Sequence, residues 1–152
     1  MKKTIDRVDE NLTNCLASLG VLCLMTQELQ HARLFLKRVA LLDKCEEGPS
    51  SLITLESQLN IAAVYRNEGR YKSAIDIVEA TLSTVLNNKW ESGWCDVLCN
   101  CWISLGVLFA SIGDAKHGCS LLKKTRQEYS IILHLGSVCQ MVLVFGLQWV
   151  VA

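Results

Sequence analysis

The side chains with the most chemistry are eight cysteines and three histidines: Cys15, Cys23, Cys45, Cys95, Cys99, Cys101, Cys119 and Cys139, with His31, His117 and His134. Cys95, Cys99 and Cys101 crowd one stretch, and His117 and Cys119 follow it, which invites a zinc reading. The spacing opposes that reading. On a helix Cys95 and Cys99 share a face, but Cys101 lies about 200° round from Cys99 and points away. Zinc ribbons and fingers space their ligands differently. Redox sensing needs a thiol whose pKa is lowered by a nearby cation, and the sequence places no cationic cluster beside these. The histidines are scattered, no Ser, His and Asp fall in a recognisable order, and no glycine-rich phosphate loop is present. No catalytic residue, metal or cofactor is assigned, and the expectation is a non-enzymatic chain.

The thiols bear on the compartment instead. The first residues, Met1-Lys2-Lys3-Thr4-Ile5-Asp6-Arg7, do not read as a secretory signal. Most of the cysteines sit among apolar residues in helical stretches, where a free thiol packs as a small hydrophobe. Reduced, mostly buried thiols in the cytosol or nucleus are expected, with a cytoplasmic location preferred. The 152 residues suit one domain; 15 basic and 15 acidic side chains balance, so nothing predicts attraction to nucleic acid or to an acidic membrane surface. Hydrophobic residues make up 51% and there is a single proline, which favours an all-helical chain.

The rest of the chain is organised around Leu55 to Leu86. Its first half places apolar or small residues at Leu59, Ala62, Ala63 and Tyr65, and its second half does so at Ala74, Ile75, Val78 and Leu82. Two short helices are predicted, joined by Asn67-Glu68-Gly69-Arg70. Gly69 can take the left-handed conformation that ends a helix. Ala62 and Ala74 are small where two helices must approach, and Tyr65 and Tyr71 fill the space beside them.

This stretch resembles a tetratricopeptide (TPR) repeat, a helix-turn-helix with a W-x2-L-G-x2-Y box and a later A-x3-F box. Gln58, Ile61, Ala62 and Tyr65 fill the first box, and Ala74 and Val78 fill the second. Two further copies exist. Upstream, Leu16 to Cys23 carries Leu19-Gly20, with Ala32 and Leu36 as the second box. Downstream, Trp102 to Phe109 fits the first box in full, Gly113 marks the turn, and Gly118 with Leu122 forms the second box. The anchors Gly20, Ala62 and Gly106 are 42 and 44 residues apart, longer than the usual period of about 34. In this the repeats are similar to the long-helix TPRs of the kinesin light chain type, over roughly Thr13 to Tyr129.

The predicted organisation is a TPR-like repeat domain over 1–129, with repeats at about 13–46, 55–88 and 99–132, then an apolar C-terminal helix over 130–152. Ile5, Val8 and Leu12 extend the first helix backward. That helix runs to about Thr26, and Gln27-Glu28-Leu29 makes the turn. The second helix runs to about Lys44 with an apolar face of Ala32, Phe35, Leu36, Val39 and Leu42; Arg33, Lys37 and Arg38 form a basic strip read as a solvated face. Cys45 to Ser51 is a linker in which Gly48 ends a helix, Pro49 prevents its continuation and Ser51 caps the next start. After a break at Asn87-Asn88 the fifth helix begins near Glu91. Asp114 caps its partner, which ends near Tyr129. Trp90 and Trp94 share a face and are expected to pack into the core.

Ser130 to Ala152 contains no charged residue. As a helix it would span about 34 Å against a bilayer core of about 30 Å, and Lys123, Lys124 and Arg126 precede it as at a cytoplasmic membrane face. Leu135-Gly136 with Ile132 and Cys139 also mimics the start of a fourth repeat. The tail is therefore expected to meet lipid, a partner, a second copy, or further repeats of a longer array.

The resemblance implies an all-α, right-handed TPR-like solenoid of about three helix pairs plus the apolar helix, acting as a scaffold or adaptor. The first helices of the pairs would line a concave groove that binds a peptide segment of a partner protein. Carried over position by position, the groove would be formed by Asn14, Ala17, Ser18, Val21 and Met25; by Glu56, Leu59, Asn60, Ala63, Arg66 and Asn67; and by Asn100, Ile103, Ser104, Val107 and Ser111. Asn60 matches an asparagine that contacts peptide backbone in the kinesin-light-chain-like repeats; an amide can donate and accept there. The clamp by which chaperone-binding TPRs grip a terminal carboxylate would fall on Ala17 and Val21, which cannot serve, so no binding of chaperone tails is expected.

Overall fold

The computed structural model describes the backbone of residues 2–87 and 93–133 and the side chains of 11–87 and 93–127. Trp90, Glu91, His134, Cys139, the Leu135-Gly136 box and nearly all of the uncharged tail lie outside the described residues. Six helices follow one another: α1 Lys2–Met25, α2 Leu29–Glu47, α3 Leu52–Asn67, α4 Tyr71–Asn87, α5 Trp94–Ser111 and α6 Ala115–Leu133. Each packs on its neighbours in sequence, and α3 also packs on α5. The result is three helix-turn-helix pairs stacked in order, α1 with α2, α3 with α4 and α5 with α6.

The turns inside the pairs repeat one motif. At the end of α3 the Gly69 N–H donates to the Arg66 carbonyl at 3.0 Å and the Arg70 N–H to the Tyr65 carbonyl at 2.8 Å, with Gly69 at φ 75°. This is a Schellman cap. The end of α5 repeats it through Gly113 at φ 92°, where Gly113 donates to Ala110 and Asp114 to Phe109. The end of α1 repeats it again, with Gln27 donating to Leu24 and Glu28 to Cys23, but the left-handed residue is Gln27 at φ 63°. A side chain is strained there. Gln27→Gly should therefore stabilise the protein by about 1 kcal/mol, read as a rise of about 2–4 °C in the thermal midpoint. A fall would contradict this reading of the turn.

The capping expectations hold. The Ser51 hydroxyl accepts from the Thr54 N–H at 3.2 Å at the start of α3, and Asp114 Oδ1 accepts from the His117 N–H at 3.1 Å at the start of α6. Three boundaries shift. Helix α2 runs on through Cys45 and Glu46 to Glu47, where Gly48 at φ 92° ends it. Helix α5 starts at Trp94 after a left-handed Gly93, and α6 continues past Tyr129 to Leu133.

Within each pair the helices meet at small residues. Small residues are buried at equivalent places in the three pairs: Gly20 and Ala32, Ala62 and Ala74, and Gly106 and Gly118. The first and third are tight: a Cβ on Gly20 would lie 2.6 Å from the Leu36 side chain, and one on Gly118 would lie 2.5 Å from the Gly106 carbonyl oxygen. Between pairs a second register repeats. Helix α3 presents Thr54, Ser57, Ile61 and Val64 toward α2, all buried. The corresponding residues of α5, Leu98, Cys101, Leu105 and Leu108, are buried where α5 packs after α4. In the first of these interfaces the Ser57 hydroxyl donates to the Asp43 carboxylate, and both residues are buried.

Two expectations need correction. The thiols are not mostly buried: Cys99 and Cys101 are, Cys23 and Cys95 are half-buried, and Cys15, Cys45 and Cys119 are exposed. Among the described residues the two buried thiols both lie on α5. Burial pushes the Cys101 thiol up to about 12, which keeps it protonated and unreactive at neutral pH. Nor is the basic strip simply solvated. Arg33 pairs with Glu68 at 3.2 Å, while Lys37 and the turn residue Arg70 lie over the Tyr65 ring at 5.4 and 4.3 Å. The Arg33–Glu68 and Lys37–Tyr65 contacts tie the first pair to the second; Arg38 stays exposed. Trp94 is half-buried against the core.

Candidate functional site

The first helices of the pairs, α1, α3 and α5, carry every residue assigned to the groove. Each has one face taken by its own partner helix, and the positions assigned from sequence lie off that face. On α1, Asn14, Ser18 and Val21 are exposed, Ala17 is half-buried, and Met25 is 76% exposed. On α3, Glu56, Asn60 and Asn67 are exposed, and Leu59, Ala63 and Arg66 are half-buried. On α5, Asn100, Ile103, Ser104 and Val107 are half-buried and Ser111 is exposed.

A cavity of about 570 Å³ joins the three helices where their C-terminal ends converge. Helix α1 supplies Leu24 and Met25, with Gln27 from the turn after it. Helix α3 supplies Arg66 and Asn67, α5 supplies Val107 and Ser111, and Tyr71 at the start of α4 closes one side. The structure thus brings Arg66, Asn67 and Ser111 together with Met25 and Val107. The other assigned residues, Asn14, Ala17, Ser18 and Val21 on α1, Glu56, Leu59, Asn60 and Ala63 on α3, and Asn100, Ile103 and Ser104 on α5, lie outside that cavity. Tyr71, Leu24 and Gln27 were not assigned to the groove, since the repeat pattern spends Tyr71 on packing and Gln27 on a turn.

The polar groups differ in how free they are. The Asn67 amide donates to the Ala63 carbonyl at 3.0 Å, and the Ser111 hydroxyl donates to the Val107 carbonyl at 2.8 Å. One Asn67 N–H and the Ser111 O–H are thereby committed to their own helices, which leaves the second Asn67 N–H and the acceptor capacity of both oxygens. Asn60 makes no such bond among the described residues, so its amide can both donate and accept.

The charges are polarised along α3. Burial pulls the Arg66 guanidinium below its ordinary value, and the Tyr71 phenol opposes that shift; an arginine remains charged through such a change. Ten residues earlier, about 15 Å along the helix, partial burial and then the Asp96 carboxylate of α5 push the Glu56 carboxyl above the usual carboxylate range. One end of the face offers a partly desolvated cation above apolar walls. The other offers two carboxylates close enough to repel each other, which a cation would relieve.

The described histidines are engaged elsewhere. His31 lies 3.2 Å from Glu28 on the surface, and His117 packs edge-on against Phe109 with ring centroids 4.4 Å apart. No group of His, Cys, Asp or Glu among the described residues is arranged to hold a metal ion.

Six helices in sequential helix-turn-helix pairs, with the first helices sharing one face, define an all-α TPR-like array. The solved structures contain a match to this fold: the crystal structure of BtubC (BKLC) from P. vanneervenii superposes with a TM-score of 0.68 at 13% identity, over 84% of this chain. The match takes up 50% of that chain, so this chain spans about half the length of the protein it resembles. No family model and no curated protein matches this sequence.

Proposed function

We propose that this chain is a non-enzymatic protein-interaction adaptor that holds a peptide segment of a partner protein across α1, α3 and α5, in the cytosol. The observation that supports this best is the cavity at which Met25, Arg66 and Ser111, one from each first helix, converge. A surface shared by three consecutive pairs is suited to an extended ligand and not to a small substrate. Its chemistry describes the ligand. An acidic side chain flanked by apolar residues suits the Arg66, Met25 and Val107 end. A lysine or arginine suits the Glu56 and Asp96 end. The separation of about 15 Å corresponds to about four or five residues of extended peptide. Asn60, lying between, is placed to meet the peptide backbone.

Selection from a random peptide library on immobilised full-length protein tests this. Selected peptides should carry an acidic residue four or five positions from a basic one. Arg66→Glu and the pair Asn60→Ala with Asn67→Ala should each weaken binding at least tenfold with helicity unchanged. Binding indifferent to all of these changes would remove the groove assignment. A second reading rests on the uncharged run from Ser130 to Ala152, which would display the same array on a membrane. Carbonate extraction separates the two, since an anchored protein stays in the membrane pellet.

A further inference from the structure

We propose that α1 pairs with α1 of a second copy of this chain, through the stripe Leu12, Cys15, Leu19 and Leu22. These residues occupy the positions that Thr54, Ser57, Ile61 and Val64 hold on α3, and that Leu98, Cys101, Leu105 and Leu108 hold on α5, when Gly20, Ala62 and Gly106 are aligned. On α3 and α5 all eight are buried, each set where a second helix of the preceding pair packs. On α1 the same positions are open: Leu12 is 51% exposed, Leu19 46% and Leu22 55%, and Cys15 is exposed. The stacking face is built three times and covered twice among the described residues.

The stripe itself says what fits. Its spacing of three, four and three residues is that of the a and d positions of a two-helix seam. Set antiparallel about its midpoint, two copies place Leu12 opposite Leu22 and Cys15 opposite Leu19, so every large side chain meets an apolar one. Residues 11–27 carry no charge, so two copies meet without like-charge repulsion and no oppositely charged partner is called for. Such an interface is isologous and closes as a dimer. It is independent of the groove. Asn14, Ser18, Val21 and Met25 lie about 100° round α1 from the stripe, so pairing leaves both grooves open and makes the assembly bivalent, which raises avidity for a partner that carries two segments.

Size-exclusion chromatography with light scattering on the full chain tests the pairing. The protein should run at twice its 16.9 kDa mass at micromolar concentration, and Leu19→Glu with Leu22→Glu should run as a monomer of unchanged helicity. If those charges reduce helicity, Leu12→Ser with Leu22→Ser at the same exposed stripe should give the monomer instead. A wild-type monomer across the micromolar range, an oligomer untouched by these variants, or a monomer whose stripe is protected only on lipid vesicles or by another protein's helix would each overturn the proposal.

Discussion

Gly118→Ala should destabilise the protein by about 3 kcal/mol and lower its thermal midpoint by roughly 6–12 °C, although helix propensity alone predicts the opposite. Alanine is favoured over glycine in a helix interior by about 1 kcal/mol. The crossing of α5 and α6 decides the sign. A Cβ on Gly118 would sit 2.5 Å from the Gly106 carbonyl oxygen and 3.2 Å from the Ala110 nitrogen. Both are backbone atoms inside a helix, so neither can turn aside, and α6 has to move off α5. Leu122 of α6, which lies over Gly106 of α5, would lose packing with it. Gly20→Ala provides the contrast. Its Cβ would meet the Leu36 side chain at 2.6 Å, and a leucine can shift, so the loss should be smaller. Gly106→Leu should also destabilise by roughly 1–3 kcal/mol or more, because even a Cβ there meets Leu122 at 2.8 Å. Calorimetry on the three variants checks the order. A stabilised Gly118→Ala would mean that the helices do not cross where the repeat register puts them.

Ser57→Ala should cost about 2–3 kcal/mol, because it strips a buried carboxylate of its donor. Asp43 is 6% exposed and Ser57 is 7% exposed, and the hydroxyl donates to the carboxylate across the α2–α3 interface. Removing one partner of such a pair leaves the other to bear its full desolvation. Replacing both is a different matter. At the equivalent places in the next interface the chain has Val85 and Cys101, both fully buried. Asp43→Val with Ser57→Cys copies that interface into the first one. It should recover the loss of the single variant and can exceed wild type, as apolar replacement of buried polar pairs often does. Urea unfolding of wild type, single and double variants supplies the measurement. A double variant as unstable as the single would show that the two interfaces are not equivalent.

These two sites show what the sequence conceals. Helix positions were legible because Ala62, Ala74 and Gly69, and their counterparts, recur at fixed offsets. The caps at Ser51 and Asp114 were legible because a hydroxyl or carboxylate before a helical run has one common use. Nothing in the sequence marks Asp43 or Ser57 for burial, since each is polar on its own helix; their pairing across two repeats is what lets them be buried. The continuation of α2 to Glu47 was missed because Cys45-Glu46-Glu47 is polar, and polarity does not stop a helix where Gly48 does. Gln27 gave no sign of being a left-handed cap, a role that glycine usually fills.

The candidate site was legible to a similar degree. Repeat offsets put Met25, Arg66, Asn67, Val107 and Ser111 on the first helices, and the cavity joins them. Its polarity was not legible, because Glu56 and Asp96 belong to different pairs and meet only when α3 packs on α5. Nor was the back-bonding of Asn67 and Ser111, which depends on a side-chain rotamer.

The claim that the first helices form the binding face is tested most directly by amide hydrogen exchange of the full chain with and without a library-selected peptide. Added protection should fall on α1, α3 and α5, from the Glu56 and Asp96 end to the Met25, Arg66 and Ser111 end, around residues 18–25, 56–67 and 96–111, while α2, α6 and α4 beyond Tyr71 change little. Protection concentrated on α2, α4 or α6 would place the partner on the opposite face and contradict the account.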